Sequence, residues 1–317
     1  MKGNKNKRGI LEPRKVPFLK LVDQSKYLLF MVFPGLAILL VYRYLPMVGL
    51  IIAFKRFSFA LGLFRSKWVG LDNFFFLFTK HPNFFHLVRN TLYISLLKLV
   101  FYFPVPIFLA LLINEVPASN PFKRYVQTII YLPHFVSWVV FGSIVIQFLM
   151  PGTGLINKLI TAFGGKEIFF MAETGWFRPI VVFTEIIKSS GWGSILYLAA
   201  LTGINPELYE EAVLEGASRR QKTLMITIPC ISDTIITLLL LEIGKLMNVG
   251  FEQIYVLYNP TVYSVGDVLS TYIYRIGIGQ ANYSITTAIG LFQSAIGLIL
   301  ILGANAVCKR LFDKTIW

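Results

Sequence analysis

The chain has 317 residues, 56% of them hydrophobic and 15% charged, with a mean hydropathy of +0.66. Soluble domains run at about 45–50% apolar with about 25% charged, so the composition excludes an ordinary soluble protein and points to the membrane. A net charge of +14 does not indicate nucleic-acid binding, because the basic residues fall in short segments between apolar runs, as the positive-inside rule distributes them.

Residues 1–26 form a basic leader with Lys2, Lys5, Lys7, Arg8, Arg14, Lys15, Lys20 and Lys26. The apolar run that follows is too long for a signal-peptide core and has no convincing small-residue cleavage site, so it is expected to stay as a first span. Six spans are predicted, at about 27–47, 88–113, 125–149, 177–201, 231–256 and 285–307, each near the roughly 20 residues that a bilayer requires. The transmembrane domain is thus 27–317, and the fold class is an all-α membrane protein.

The first span is interrupted near its end by Arg43 and Pro46, and Val48–Phe54 is expected to continue outside. Residues 55–87 form an outer segment, 114–124 a short inner loop with Lys123 and Arg124, and 257–284 a polar outer loop. The run Pro151-Gly152-Thr153-Gly154 is a turn signal opening the segment 150–176. Lys and Arg are more frequent on the leader's side of the membrane, which puts both termini and loop 202–230 in the cytosol. Cys230 and Cys308 then lie at cytosolic helix ends, which argues against a structural disulfide. Pro34-Gly35, Pro104, Pro106, Gly142, Gly191 and Gly193 are candidate breaks in the spans, of the kind tolerated where neighbours or a water-filled cavity satisfy the backbone.

Charged residues inside spans are costly and usually face an interior or a cavity. Lys98 lies in the second span. The fourth carries Glu185, Lys188, Trp192 and Tyr197, with Glu185, Ser189 and Trp192 on one side. The fifth carries Glu242, Lys245, Asn248, Glu252 and Gln253. Glu242 and Lys245 are an i, i+3 pair, and Lys245, Asn248 and Glu252 are expected to share a helical face. Aromatic faces beside hydrogen-bonding side chains suit sugar rings, so Glu185, Lys188, Trp192, Tyr197, Lys245, Asn248, Glu252 and Gln253 are the candidate substrate path. The alternative is that these groups hold the helices together.

The stretch Tyr209–Pro229 reads YEEAVLEGASRRQKTLMITIP. Asn205 can cap a first helix, with Pro206 at its first position and Glu207, Glu210 and Glu211 in the first turns. Gly216 suits the left-handed position that ends it, and Ser218 with Gln221 forms a capping box that starts a second helix. Two helices bent at a glycine make a knob for another protein to grip.

No phosphate-binding loop of the type G-x4-G-K-[ST] is present; Gly164-Gly165-Lys166 lacks both the upstream glycine and the following hydroxyl residue. Neither a metal-spaced Cys/His cluster among His81, His86 and His134 nor a G-x-S-x-G elbow occurs. The chain is therefore expected to be no enzyme and to take its energy from a partner or an ion gradient.

The knob resembles the signature of ABC importer permeases: Glu-Ala-Ala, three residues, Gly, nine residues, Ile-x-Leu-Pro. Here that reads Glu210-Glu211-Ala212, Gly216 and Ile226-Thr227-Ile228-Pro229, with Glu211 in place of Ala and Ile228 in place of Leu. From about residue 27 onward the chain is similar to carbohydrate importer permeases. It looks most like those for alginate, rhamnogalacturonan and other complex oligosaccharides, through YLPMVGLIIAFKRFS (44–58), WVGLDNF (68–74), NTLYIS (90–95), PVPIFLALLINEV (104–116) and FKRYVQTIIYLPHFVSWVV (122–140).

The resemblance implies the type I importer fold, a homologous second permease subunit and an extracytoplasmic solute-binding protein. It also implies a cytosolic ATPase dimer that binds ATP and Mg, with no cofactor in this chain. It makes loop 202–230 the coupling element, with Glu210, Glu211, Ala212, Gly216, Ala217, Ile226 and Pro229 as its contact positions. It places the protein in the cytoplasmic membrane of a bacterium. An ion-coupled sugar transporter using Glu242 and Lys245 as a relay is the alternative, and a membrane enzyme acting through intramembrane carboxylates is a third possibility.

Overall fold

The computed structural model describes residues 25–117 and 119–312. The basic leader up to residue 24 and the predicted cytosolic Lys314 lie outside the described residues. The chain divides into two units, residues 1–51 and 52–317. In the first, helix α1 (Lys26–Leu39) contains Pro34 without a break. It continues as a π-turn, Leu40–Tyr44, and then as a 3-10 helix, Leu45–Phe54, which carries the helix past the expected end of the first span and into the second unit. Its large apolar side chains, among them Tyr27, Phe30, Met31 and Phe33, are exposed.

In the second unit a short antiparallel ribbon pairs β1 (Lys55–Arg56) with β2 (Lys67–Trp68) across the turn helix α2 (Gly62–Arg65). Helix α3 (Asp72–Thr79) follows. The second span is α4 (Phe84–Phe101) plus α5 (Pro104–Glu115), separated at Tyr102-Phe103, which keep helical dihedrals while Pro104 and Pro106 bring no N–H to the carbonyls of the turn before them. Helix α6 (Pro121–Phe135) has Lys123 and Arg124 in its first turns, so the inner loop is shorter than expected.

The third span is not straight. After α6 the chain becomes extended at Val136, and Ser137 caps α7 (Trp138–Leu149) by accepting a hydrogen bond from Val140 N at 3.3 Å. The two helices meet at 101°. Apolar length alone hides the bend, though Pro133 inside α6 and the Ser137 cap are local marks of it. Turn 151–154 leads to α8 (Leu155–Ala162), and α9 (Thr174–Thr202) has 29 residues. At 1.5 Å per residue α9 is about 43 Å long, enough to cross a bilayer core of about 30 Å.

The knob comprises α10 (Glu207–Leu214) and α11 (Arg219–Lys222), the latter running through a π-turn, Thr223–Thr227, to Ile228–Cys230. The fifth span is shorter than predicted: α12 (Ser232–Gly244) stops at Gly244, residues 245–250 are not helical, and α13 (Phe251–Leu257) is a separate helix. Lys245, Asn248 and Glu252 therefore have no common helical face. The predicted outer loop is largely helical, with a 3-10 turn Pro260–Val262, α14 (Tyr263–Gly266) and α15 (Leu269–Gly277). Helix α16 (Tyr283–Phe312) is the last among the described residues.

Among the described residues, three helical stretches are long and apolar enough to cross a membrane, 26–54, 84–115 and 283–310, and the bent pairs 121–149 and 219–244 pass when each is taken as one span. The six predicted regions are these five and α9, whose Arg178, Glu185 and Lys188 lower its apolar character. Gly142, Gly191 and Gly193 lie inside unbroken helices at tight contacts. A Cβ on Gly191 would sit 2.0 Å from Ile130 O, and one on Gly142 2.5 Å from Val256 Cγ1. They allow close packing rather than breaking the spans. One core cluster gathers Ile94, Phe177, Val181, Ile254 and Leu257, and this fixes α4, α9 and α13 around the region described next.

Candidate functional site: a knob and a polar cavity

The knob is built by local hydrogen bonds. Asn205 Oδ1 accepts from Glu207 N at 3.2 Å, and its amide donates to Glu207 Oε2 at 3.0 Å. The helix begins at Glu207, one residue later than the proline position implied, and Asn205 still satisfies one of its open N–H groups. At the other end Gly216 has φ +80°. Ala217 N donates to Ala212 O at 2.8 Å and Gly216 N to Val213 O at 3.0 Å. This pairing closes a helix through a left-handed residue. The capping box forms: Gln221 N donates to Ser218 Oγ at 3.3 Å, and Ser218 N to Gln221 Oε1 at 2.8 Å. Tyr209 OH and Thr227 Oγ1 lie 3.0 Å apart and tie the two helices together.

Of the predicted contact positions, Ala212 is buried beneath the knob, Ala217 and Ile226 are half-buried, and Glu210, Glu211, Gly216 and Pro229 are exposed. Glu211 is exposed, so its carboxylate in place of Ala displaces no side chain of this subunit. Val213, Leu214, Leu224 and Met225 are also exposed, Leu214 at 88%. The knob therefore presents apolar side chains beside Glu207, Glu210, Glu211 and Glu215. Val213 falls on the small, smooth face that the helical spacing of Tyr209, Ala212, Val213 and Gly216 implies; Leu214, Leu224 and Met225 lie off that face and were not singled out.

The second feature is a cavity of about 350 Å³ between α4, α6, α7, α9 and residues 242–253. Among the predicted path residues Glu185, Trp192, Lys245, Asn248 and Gln253 line it. At its centre Lys98 Nζ donates to Glu185 Oε2 at 2.8 Å, to Val249 O at 2.7 Å and to Gln253 Oε1 at 2.5 Å. Gln253 Nε2 donates to Val181 O and Thr184 Oγ1, and Ser189 Oγ donates to Glu185 Oε1 at 2.7 Å. Gly250, at φ +93°, takes a backbone conformation open to glycine as Val249 turns its carbonyl to Lys98. Non-helical backbone at membrane depth is tolerated where it is buried in protein or lines a cavity, as residues 245–250 do. Glu242 and Lys245 form the predicted pair at 2.9 Å and are largely exposed.

Three predicted residues are placed elsewhere. Lys188, 5% exposed, donates to the carbonyls of Pro133, His134 and Val136, and so caps α6 at the 101° bend. Tyr197 is buried with Ala110, Leu201 and Ile231, and Glu252 is exposed away from the cavity lining. The cavity also gathers residues that the sequence did not single out for it: Ser95, Tyr102, His134 and Trp138. His134 was considered only for metal spacing; its ring lies parallel to Trp192 at 4.7 Å. Among the described residues no group of three or more His, Cys, Asp or Glu could hold a metal ion.

Residues 102–313 match the family described as binding-protein-dependent transport system inner membrane component. Protein LplB of Bacillus subtilis (strain 168) is 47% identical over 94% of this chain and 93% of its own length. The polygalacturonan/rhamnogalacturonan transport system permease protein YteP of the same organism is 44% identical over 96% of this chain and 94% of its own. A chain of a bacterial alginate ABC transporter, solved in complex with an alginate pentasaccharide-bound periplasmic protein, superposes with a TM-score of 0.86 at 41% identity. It covers 94% of this chain and 99% of its own.

Proposed function

This chain belongs to the family of binding-protein-dependent transport system inner membrane components, and we propose that it moves an oligosaccharide or polysaccharide fragment inward across a bacterial cytoplasmic membrane. It is the permease component of an ABC importer with the type I fold. The family assignment favours ATP as the energy source over the ion-coupled alternative. A separate ATPase dimer binds ATP and Mg and hydrolyses the nucleotide, a homologous second permease completes the path, and an extracytoplasmic solute-binding protein delivers the sugar. Both termini and the knob face the cytosol. The names of the polygalacturonan/rhamnogalacturonan permease and of the alginate transporter support a complex glycan as cargo.

The observation that carries this proposal is the knob, a two-helix projection fixed by its own hydrogen bonds and presenting an apolar and acidic face. Such a rigid shape transmits a push from an ATPase cleft to α9 and α12, the helices on either side of it. ATP binding closes the ATPase dimer, moves the coupling helices and turns the path outward. The sugar then enters, and hydrolysis resets the path. Each step is a shift between two states through differential binding.

The test is ATPase activity of the chain co-expressed with its partners in nanodiscs, with and without sugar-loaded binding protein. Gly216→Val strains the left-handed knee without any steric neighbour within 4 Å. It is expected to abolish stimulation by the binding protein while membrane insertion is kept. A variant that remains fully stimulated and still transports would overturn the coupling role.

A further inference from the structure

Between residues 55 and 80 the chain carries Lys55, Arg56, Arg65, Lys67 and Lys80 against the single carboxylate of Asp72. Neither the knob nor the cavity uses any of them. On the orientation proposed above this segment lies outside, where the positive-inside rule leaves loops poor in Lys and Arg. Lys55 Nζ is committed to the carbonyls of Leu63 and Phe64, at 2.8 and 3.2 Å. Arg56, Arg65, Lys67 and Lys80 are exposed, and among the described residues none of them pairs with a carboxylate. Arg56 stands directly opposite Lys67 in the ribbon, and like charges in that register repel each other. Arg56 and Lys80 also line a recess of about 510 Å³ between α3 and the start of α16.

The tip that α2 makes beyond the ribbon is apolar and held in shape. Phe64 is 87% exposed and Phe59 69%, and Leu61, Trp68 and Leu71 are exposed as well. Ser58 N donates to Ser66 Oγ at 3.1 Å, and Ser66 Oγ donates to Gly62 O at 2.6 Å, so the turn is closed from within. The finger is anchored where apolar stretches end. Phe57 N donates to Ser284 Oγ at 2.8 Å, Phe59 meets Tyr283 edge-on at 5.0 Å, and Trp68 stacks on Phe54 at 5.9 Å. Phe54 and Tyr283 are the ends of two stretches long enough to cross a membrane, and a third begins at Phe84, just after α3.

We infer that this finger rests on the phospholipid surface of the leaflet on its own side. Phe59, Leu61 and Phe64 enter the boundary between headgroups and acyl chains, and Arg56 and Lys67 receive a lipid phosphate between them. Aromatic side chains and cations together favour that boundary. A basic group near anionic headgroups gains an attraction that falls off within a Debye length, and a phosphate between Arg56 and Lys67 also relieves their repulsion. A dock for a soluble protein would leave Phe64 bare in water whenever that protein is away. At the ends of three spans the bilayer surface is always there to cover it.

The experiment uses the full complex in nanodiscs, freed of other cysteines (Cys230→Ser and Cys308→Ala in this chain), with a bimane label on Phe64→Cys. Quenching is read with phosphatidylglycerol or phosphatidylcholine brominated near the top of the acyl chain, and with aqueous iodide. Brominated phosphatidylglycerol is expected to quench about twice as strongly as brominated phosphatidylcholine at equal mole fraction, and iodide only weakly. With Arg56→Gln and Lys67→Gln added, the two lipids should quench alike. Equal quenching by both lipids while Arg56 and Lys67 are in place overturns the phosphate seat. Strong quenching by iodide with none by either lipid overturns the whole inference. Iodide quenching that disappears when sugar-loaded binding protein is added assigns the surface to that protein instead. A label on Leu61→Cys, in the same turn, gives an independent reading should the Phe64 variant fail to fold.

Discussion

The knob and the cavity are held together in opposite ways. The bonds that cap and close the two helices of the knob join residues two to five positions apart, such as Asn205 to Glu207, Ser218 to Gln221 and Ala217 to Ala212. The Tyr209–Thr227 contact, 18 positions apart, adds to them. The bonds that Lys98 makes across the cavity join residues 87, 151 and 155 positions apart, and those of the Gln253 amide join residues 72 and 69 apart. A docking projection has to keep its form while exposed on a loop, and only local bonds can guarantee that. A transport path has to be divided among separate helices, because its walls must move relative to one another.

The comparison predicts where a single substitution is most costly. Lys98→Met removes the one cation that joins α4, α9 and the break at 245–250, and it leaves Glu185 largely buried and unpaired. Breaking a buried pair in this way costs about 3–5 kcal/mol, read as a lower thermal midpoint of the purified complex. Adding Glu185→Leu should recover most of the loss, since replacing both partners by apolar groups is often close to neutral. A single variant as stable as the wild type would mean that the network does not join these elements. Next in size is Lys188→Met, which strips the bend in the third span of its cap. Hydrogen bonds to a charged donor are worth about 1.5–3 kcal/mol, and a loss of that order is expected in the same assay. Lys188→Arg should restore part of it, because the guanidinium offers donors to the same carbonyls.

The same difference in range governs how much of the molecule was legible. Asn205, Gly216, Ser218 and Gln221 could be assigned from spacing alone, because capping chemistry is written within one turn of sequence. The spans at 84–115 and 283–310 were legible from apolar length. The bend at Val136 and the stop at Gly244 were not, because the groups that satisfy the opened backbone come from elsewhere: Lys188 from α9 in one case and Lys98 from α4 in the other. Lys188 illustrates the ambiguity most directly. A lysine in the middle of an apolar helix announces that it has a partner, but its sequence does not say whether that partner is a sugar or three carbonyls. His134 went unrecognised for the opposite reason, since stacking on Trp192 leaves no periodic trace.

Within the knob the expected effects are smaller and separable. Gly216→Ala pays only for its backbone, because an added Cβ meets nothing within 4 Å. The left-handed conformation costs a non-glycine residue about 1–2 kcal/mol, and Gly216→Asn should cost less, since its side chain tolerates that region. Binding-protein-stimulated ATPase activity should therefore fall in the order Gly, Asn, Ala at this position. If Ala matches Gly, the left-handed knee is not what the coupling depends on.

The smallest effect should come from Ser218→Ala. Losing a capping hydroxyl typically costs about 1 kcal/mol, and here the loss is confined to α11, because the closure at Gly216 and the Tyr209–Thr227 contact do not pass through Ser218. Hydrogen exchange at the amide of Gln221, which donates to that hydroxyl, should quicken by a factor of about five, the equivalent of 1 kcal/mol. Exchange in α10 should be unaltered. Tyr209→Phe in the same background should then loosen both helices together, since the hydroxyl is the side-chain link between them. If Ser218→Ala alone quickened exchange throughout α10, the knob would be one cooperative unit rather than two capped helices. Its stability would then depend on more than the local bonds that made it readable.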